Sequence, residues 1–239
     1  MQAREMLLQL ALLYEGDWEQ IFNAVQNREY PETEIEYEGN YITIMDEDYP
    51  ETLKQSYRPP FVLFYEGNIN LLKDKKPKIA IGTSRHNQTE QKQLVEQILK
   101  GTSYTLILGG RSKVDEYIAQ NTDNSLIVVA GTPISMVDSK FKNDKTLIIS
   151  EYPEKTNPQI TNFARRNQII SALCNKTLIL HCEKTSGTNT LVMFSLQNGK
   201  EVMVVPASPF AKEEVINNEL IYEGAIPVWT KHKLCEIMN

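Results

Sequence analysis

Short apolar runs alternate with longer amphipathic stretches along most of the chain. Each short run is typical of a buried strand, and each longer stretch places its apolar residues at helical spacing. The predicted strands are Lys78–Ile81, Thr105–Leu108, Leu126–Val129, Thr146–Ile149, Thr177–Leu180, Val202–Val205 and Ile226–Trp229. The predicted helices are Gln88–Leu99, Lys113–Asn121, Phe163–Leu173, Asn189–Gln197 and Lys212–Tyr222. This alternation predicts an α/β fold in which helices cover both faces of a mostly parallel sheet.

The N-terminal part of the chain predicts a small helical hairpin. Apolar residues lie at helical spacing in Glu5–Tyr14 and Trp18–Val25, with Gly16 placed to end the first helix and Asp17 to cap the second. Two short strands are predicted after it, at Tyr41–Ile44 and Phe61–Tyr65. We expect a helical hairpin with an acidic linker over residues 1–40 and the α/β core domain over residues 41–239.

Charge is distributed unevenly along the 239 residues. The formal net charge is −6, but nine acidic residues and no basic one lie between Glu29 and Glu51. The rest of the chain therefore has a net charge of +3, so the acidic total does not exclude a local basic surface for an anionic partner. An acidic run of this kind is most often a solvated surface.

Several classes of protein are disfavoured by what the sequence lacks. No apolar run approaches the roughly 20 residues that span a bilayer, and the first residues show no signal-peptide pattern. We therefore expect a cytoplasmic protein. The three cysteines have neither an even number nor metal-ligand spacing, so we expect neither a disulfide framework nor a metal site.

Polar turn residues follow three of the predicted strands. These turns are Gly82-Thr83-Ser84-Arg85, Gly109-Gly110-Arg111-Ser112 and Ser186-Gly187-Thr188. Ligands of parallel sheets bind outside the carboxyl ends of the strands, where helix N-termini present free N–H groups. The three turns are thus predicted to converge on one anion. Alternatively, the glycines serve the turns alone and Arg85 and Arg111 form ordinary surface ion pairs.

The segment that begins at Phe163 is the sharpest candidate for ligand contact. Arg165 and Arg166 offer planar forks for phosphate oxygens, Asn167 can read a base edge or tie a loop, and Phe163 can stack on a base. The alternative interpretation makes Phe163 part of the core and leaves the arginines in solvent.

Catalytic chemistry has little support in the sequence. The three histidines are far apart and form no motif with a serine, a cysteine or a carboxylate. Glu151 is a conceivable general base that can equally hold a backbone N–H. We expect no catalytic residue, no metal and no cofactor.

Motifs spread over residues 41 to 229 resemble those of the DNA-processing protein A family, also called DprA or Smf. The specific part is Ser150-Glu151-Tyr152-Pro153 followed by Phe163-x-x-Arg166-Asn167-x-Ile169-Ile170. The other matching pieces are Tyr49-Pro50, Pro60–Gly67, Arg85, Ser186-Gly187-Thr188, Val205-Pro206 and Glu219–Ala225.

The resemblance implies a Rossmann-like core that binds single-stranded DNA, forms a homodimer and loads the RecA recombinase during natural transformation, without a catalytic reaction. It also implies a compact member that lacks the C-terminal winged helix of many relatives. Taken with the turn residues above, it predicts the following DNA-binding residues: Gly82, Ser84, Arg85, Gly110, Arg111, Asn162, Phe163, Arg165, Arg166, Asn167, Ser186, Gly187 and Thr188.

Two other classes of function remain open from the sequence. One is a nucleotide-binding or nucleoside-cleaving enzyme on a related scaffold, with Glu151 or Glu183 as acid or base. The other is a dimeric scaffold that does not bind DNA and acts through its dimer face and its acidic stretch.

Overall fold

A nine-stranded sheet is the centre of the part of the chain that the computed structural model describes, which is residues 2–29, 31, 33–212 and 214–238. Its strands are β1 (Asn40–Thr43), β2 (Val62–Gly67), β3 (Lys78–Gly82), β4 (Thr105–Leu108), β5 (Leu126–Ala130), β6 (Thr146–Ser150), β7 (Lys176–Ile179), β8 (Glu201–Val204) and β9 (Ile226–Pro227). They lie side by side in the order β1-β2-β6-β5-β4-β3-β7-β8-β9.

The six strands from β3 to β8, together with β9, are parallel, whereas β1 and β2 pair in antiparallel fashion at one end. From β3 the chain moves outward through β4, β5 and β6, and then returns to the other side of β3 for β7 and β8. The strand order therefore reverses between β3 and β7, and such a reversal opens a crevice at the carboxyl ends of the strands. The predicted α/β, mostly parallel, Rossmann-like sheet is confirmed.

Ten α-helices surround the sheet within the described residues. They are α1 (Ala3–Leu13), α2 (Trp18–Asn27), α3 (Glu51–Lys54), α4 (Asn70–Lys73), α5 (Gln88–Leu94), α6 (Lys113–Asn121), α7 (Ile160–Leu173), α8 (Gly187–Gln197), α9 (Asn217–Tyr222) and α10 (Lys231–Met238). Helix α5 continues into a π-helical turn at Val95–Leu99. No helix of the described residues combines the length and the apolar character that crossing a membrane requires.

Alternate residues of the central strands face opposite layers of the core. Ile79 and Ile81 belong to a cluster that also contains Val114 of α6, whereas Ala80 faces a second cluster that includes Ile169 of α7. This is the period-two alternation of a strand buried on both faces. Helices thus cover both faces of the sheet, as predicted.

The N-terminal hairpin has the local chemistry that the sequence indicates. Gly16 lies at a φ of +77°, where glycine is favoured, and the Asp17 carboxylate accepts the N–H of Gln20 at 2.9 Å. The hairpin packs on the sheet through residues such as Leu10 and Ile21. The division into residues 1–40 and 41–239 stays a prediction.

One predicted helix is largely wrong. Within the described residues of the predicted helix Lys212–Tyr222, which leave out residue 213, the structure has only α9. Val215 pairs with Glu183 in an isolated bridge, and the side chain of Asn217 is buried and forms long-range hydrogen bonds. The Asn217 side chain accepts the N–H of Cys182 at 2.8 Å and donates to the carbonyl of Val205 at 2.8 Å. Helix α7 begins three residues before the predicted Phe163, and α8 begins two residues before the predicted Asn189. The short helices α3 and α4 and the C-terminal α10 were not predicted.

Candidate nucleic-acid interface

A cavity of about 450 Å³ opens where β3, β4 and β7 end. We call it the strand-end cavity. Its walls are the turn after β3, the turn after β4, the segment that leads into α8, and one face of α7. The three turns that the sequence predicts to converge do so here, at the reversal of strand order.

Hydrogen bonds join the three turns to one another. The hydroxyl of Thr83 donates to Oδ1 of Asp115 at 2.9 Å and lies 2.8 Å from the hydroxyl of Ser112. The Thr188 hydroxyl in turn donates to the carbonyl of Thr83 at 2.7 Å. Ser112 and Asp115 also form a reciprocal capping box at the start of α6. The cavity wall is therefore held in shape without a ligand.

Helix α7 presents Phe163, Arg166, Asn167 and Ile170 to the cavity. These positions are three and four residues apart, which is the spacing of one helix face. Nη1 of Arg166 donates to the carbonyl of Gly109 at 2.8 Å, and Nδ2 of Asn167 donates to the carbonyl of Gly187 at 2.8 Å. The helix is thus tied to the turn after β4 and to the start of α8.

Arg166 is held tightly but retains a free donor. Its Nε is buried and has no hydrogen-bond partner among the described residues. Burial lowers the pKa of Arg166 to about 10, while nearby Asp115 acts to raise this pKa and Arg111 acts to lower it. At neutral pH the side chain therefore remains charged, so the wall of the cavity carries the positive charge of Arg166.

The ring of Phe163 lies under the guanidinium of Arg111. The Arg111 Cζ is 4.2 Å from the ring centroid, which is a cation–π distance, and the Arg166 Cζ is 5.7 Å from it. Gly131 supports the ring from the end of β5, where an added Cβ would lie 2.7 Å from the Phe163 Cδ1. An aromatic surface and two cationic groups thus meet at the mouth of the cavity.

The start of α8 supplies a second kind of anion contact. Ser186 is the N-cap of this helix, and Gly187 and Thr188 are its first two residues. The first N–H groups of a helix have no acceptor within the helix and carry its partial positive charge. The exposed Arg85 also lines the cavity, next to Glu183 and His86. Three arginines therefore outnumber the two carboxylates that line the cavity, those of Asp115 and Glu183.

Three of the predicted residues shape the turns instead of presenting a side chain. Gly82 leaves room for Ile179 and Thr188, since an added Cβ would lie 2.5 Å and 2.8 Å from their side chains. Gly110 takes a φ of +68° and is not among the cavity-lining residues. Ser84 is buried, and its N–H donates to Oε1 of Gln91 at 2.9 Å.

Asn162 and Arg165 lie away from the strand-end cavity, on another side of α7. Arg165 forms a buried ion pair with Glu151 at 3.1 Å, and Nη1 of Arg165 donates to Oε1 of Gln168 at 2.9 Å. It also donates to the carbonyl of Arg58. Burial raises the pKa of Glu151, and Arg165 partly offsets that rise. Glu151 is thus committed to a structural pair, and of the two carboxylates considered for catalysis Glu183 alone lines the cavity.

The predicted DNA-binding residues leave out four residues that build the cavity. Thr83, Gly109 and Ser112 lie in the predicted turns but were not chosen individually, and Asp115 was not considered at all. The capping-box pattern Ser112-x-x-Asp115 was readable and marks the start of α6. Gly109 has no local signal, because its need for a small residue comes from Arg166, whose guanidinium would lie 2.8 Å from an added Cβ. Among the described residues, no group of three or more His, Cys, Asp and Glu side chains is placed to hold a metal ion.

Comparison with known proteins gives consistent matches. A model of the family described as DNA recombination-mediator protein A matches residues 40–239. The DNA processing protein DprA of Bacillus subtilis (strain 168) is 30% identical over 212 residues, which cover 82% of this chain and 70% of that protein.

Two solved structures share the fold. The X-ray structure of DNA processing protein A from Streptococcus pneumoniae superposes with a TM-score of 0.75 at 23% identity, over 99% of this chain and 94% of the other. A structure of DNA processing protein A from Helicobacter pylori, described for its single-stranded DNA binding mode, has a TM-score of 0.67 at 20% identity, over 84% and 96% of the two chains. The chain belongs to the DprA/Smf family, the family of DNA recombination-mediator protein A.

Proposed function

We propose that the chain binds single-stranded DNA in the strand-end cavity, protects incoming DNA and helps to load the RecA recombinase in natural transformation. The observation that carries the proposal is the meeting of Phe163, Arg111 and Arg166 at the mouth of a cavity lined by helix N-termini. Cationic groups beside an aromatic face are suited to a single strand, because the cations attract its phosphates and its unpaired bases can stack on the ring.

Each group has a distinct part in this binding. A base stacks on Phe163 after the Arg111 guanidinium moves from the ring to a phosphate oxygen. Arg166 supplies positive charge to the strand while its Nη1 stays on Gly109. The N–H groups at the start of α8 donate hydrogen bonds to a neighbouring phosphate, as helix N-termini do.

The arrangement favours single strands over duplexes. Phe163 is partly buried, so a base must leave its own stack to reach the ring. Contacts to phosphates and to a base face carry no sequence information, so binding is expected to be nearly independent of sequence.

Family membership supports the cellular role. The family is named for recombination mediation, and the Helicobacter pylori relative is described for its single-stranded DNA binding mode. Homodimer formation and RecA as partner belong to the proposal through the family resemblance. The binding chemistry does not require a catalytic residue.

Fluorescence anisotropy of a labelled dT oligonucleotide tests the proposal. The parent, Arg166→Ala and Arg28→Ala are compared at low and moderate salt, where Arg28, an exposed arginine at the end of α2, controls for the loss of one positive charge. We expect salt-sensitive binding by the parent and by Arg28→Ala, and a clear loss in Arg166→Ala. No binding by the parent would contradict the proposal. Competition by a mononucleotide but not by unlabelled oligonucleotide would instead support a nucleotide-binding enzyme.

A further inference from the structure

A second cavity, of about 810 Å³, lies between the N-terminal hairpin and α7. We call it the hairpin cavity. Its walls are the turn between α1 and α2, the segment Tyr57–Arg58, the residues that precede α7, and α7 itself. We propose that it binds a second nucleobase of the strand held by the strand-end cavity. This inference rests on the proposed function and extends its binding site.

Helix α7 is the wall that the two cavities share. Phe163, Arg166 and Asn167 line the strand-end cavity, whereas Thr161, Arg165 and Gln168 line the hairpin cavity. The two cavities are thus separated by the width of one helix, which is about 10 Å. A strand that leaves Phe163 and crosses the first turn of α7 therefore reaches the hairpin cavity within a few nucleotides.

The hairpin cavity has aromatic walls suited to a base. Tyr57 is 69% exposed at its rim, whereas the ring of Trp18 is stacked on Phe22 and on Phe61, with ring centroids 4.9 Å and 5.4 Å apart. The Arg58 guanidinium lies between these surfaces, with Cζ 5.1 Å from the Trp18 ring and 5.2 Å from the Tyr57 ring. Exposed aromatic and guanidinium planes are the surfaces on which unpaired bases stack.

The cavity also contains a polar group without a partner. Gln168 lines it and is 94% buried, since only 6% of its surface is exposed. Its Oε1 accepts from Arg165, and its Nε2 has no hydrogen-bond partner among the described residues. Buried amide donors are normally satisfied, so we expect the Gln168 side chain to shift and donate from Nε2 to a carbonyl or ring nitrogen of the bound base.

Charge indicates that a base and not a phosphate enters. Both arginines of the cavity are already paired, Arg58 with Glu19 and Arg165 with Glu151. Glu15 and Asp17 add negative charge at the hairpin turn. A phosphate would meet repulsion here, whereas the backbone can remain outside along the exposed start of α7, where Ile160 is 89% exposed.

Trp18 allows the proposal to be tested directly. The chain has two tryptophans, so Trp229→Phe leaves Trp18 as the single tryptophan reporter. In that background, oligonucleotides of about 4 to about 16 nucleotides are titrated, with anisotropy for affinity and Trp18 emission for occupancy of the hairpin cavity. Tyr57→Ala and Gln168→Leu are the test variants, and Tyr222→Ala is the control for loss of an exposed tyrosine.

The shortest oligonucleotides should bind without changing Trp18 emission. Longer ones should quench Trp18 and bind roughly tenfold more tightly, the usual effect of one stacked base. Tyr57→Ala should lose the tighter binding of longer oligonucleotides and keep the parent's affinity for the shortest ones. Tyr222→Ala should behave as the parent does. Gln168→Leu should show a smaller rise in affinity with oligonucleotide length than the parent does.

Three results would overturn the inference. One is that the affinity of Tyr57→Ala rises with oligonucleotide length as much as that of the parent. Another is that long strands leave the Trp18 emission unchanged. The third is quenching by a free mononucleotide as strong as by long strands, which would assign the cavity to a small ligand. A complete lack of binding by any oligonucleotide would instead contradict the proposed function, and this inference with it.

Discussion

Arg111 and Phe163 lie face to face, with the guanidinium carbon of Arg111 4.2 Å from the centroid of the Phe163 ring. Arg111 comes from the turn after β4 and Phe163 from the first turn of α7, more than fifty positions later in the chain. The Arg166 guanidinium carbon lies 5.7 Å from the centroid of the same ring, so both arginines are close to Phe163. When a base stacks on the Phe163 ring, the Arg111 guanidinium can leave the ring and bind a phosphate. The ring and the guanidinium then each contact the DNA.

Phe163→Ala should weaken single-stranded DNA binding by roughly 1 to 3 kcal/mol, because the stacking surface is lost. Phe163→Tyr should bind nearly as the parent does, since the ring is retained. The measurement is oligonucleotide affinity by anisotropy, with thermal unfolding to verify the fold. Equal affinities of Phe163→Ala and the parent would exclude stacking on this ring.

Gly109→Ala should imitate the loss of Arg166 without altering any charge. An added Cβ would lie 2.8 Å from the Arg166 guanidinium, which must move and give up its hydrogen bond to the Gly109 carbonyl. We expect reduced affinity for oligonucleotides at unchanged net charge. Thermal unfolding of Gly109→Ala shows whether the alanine also changes stability; a stable Gly109→Ala protein with full affinity would show that Arg166 need not stay in place.

Arg85→Ala should lower the salt dependence of binding. Arg85 is exposed at the mouth of the strand-end cavity, and each phosphate contact that is lost reduces the slope of log K against log salt by about 1. The slope is measured from titrations over a range of salt concentrations. Arg4→Ala, which removes an arginine paired with Asp46, is the comparison; identical slopes for Arg85→Ala and the parent would place Arg85 outside the phosphate path.

Arg165→Met should destabilise the protein by roughly 3 to 5 kcal/mol at neutral pH, because it leaves the buried Glu151 carboxylate unpaired. The pKa of Glu151 is already raised by burial, and losing Arg165 removes the influences that lower it. A raised carboxyl pKa means that the native state holds its proton more firmly than the unfolded state, so stability falls as pH rises through this pKa. The loss of stability caused by Arg165→Met should therefore be small in acid and grow toward neutral pH.

Chemical denaturation across pH measures this deficit. Combining Arg165→Met with Glu151→Gln should recover much of the stability at neutral pH, because no buried charge then remains. A deficit in Arg165→Met that does not change with pH would show that lost packing, and not the unpaired carboxylate, causes it.

The positions of most strands and helices follow from local pattern. The apolar run of β4 ends where Gly109 begins the turn, and α6 begins directly after its cap residue Ser112, so the sequence indicates both the elements and the loop between them. The motif around Phe163 and Arg166 likewise identifies the family, because its residues lie together in one short segment of the sequence. The helix predicted over Lys212–Tyr222 failed because a long-range link, from Asn217 to Cys182, overrides the local periodicity.

The sequence by itself determined the α/β class, the position of each polar turn and the family, since each depends on patterns of residues that lie close together in the chain. Only the tertiary structure decided the strand order and the separate environments of Arg165 and Arg166. Adjacent residues on a helix point about 100° apart, so these two arginines enter different cavities. Arg165 is neutralised by Glu151, whereas Arg166 contacts Gly109 and Phe163. Glu151 and Gly109 belong to segments distant in the chain, which only folding brings next to α7.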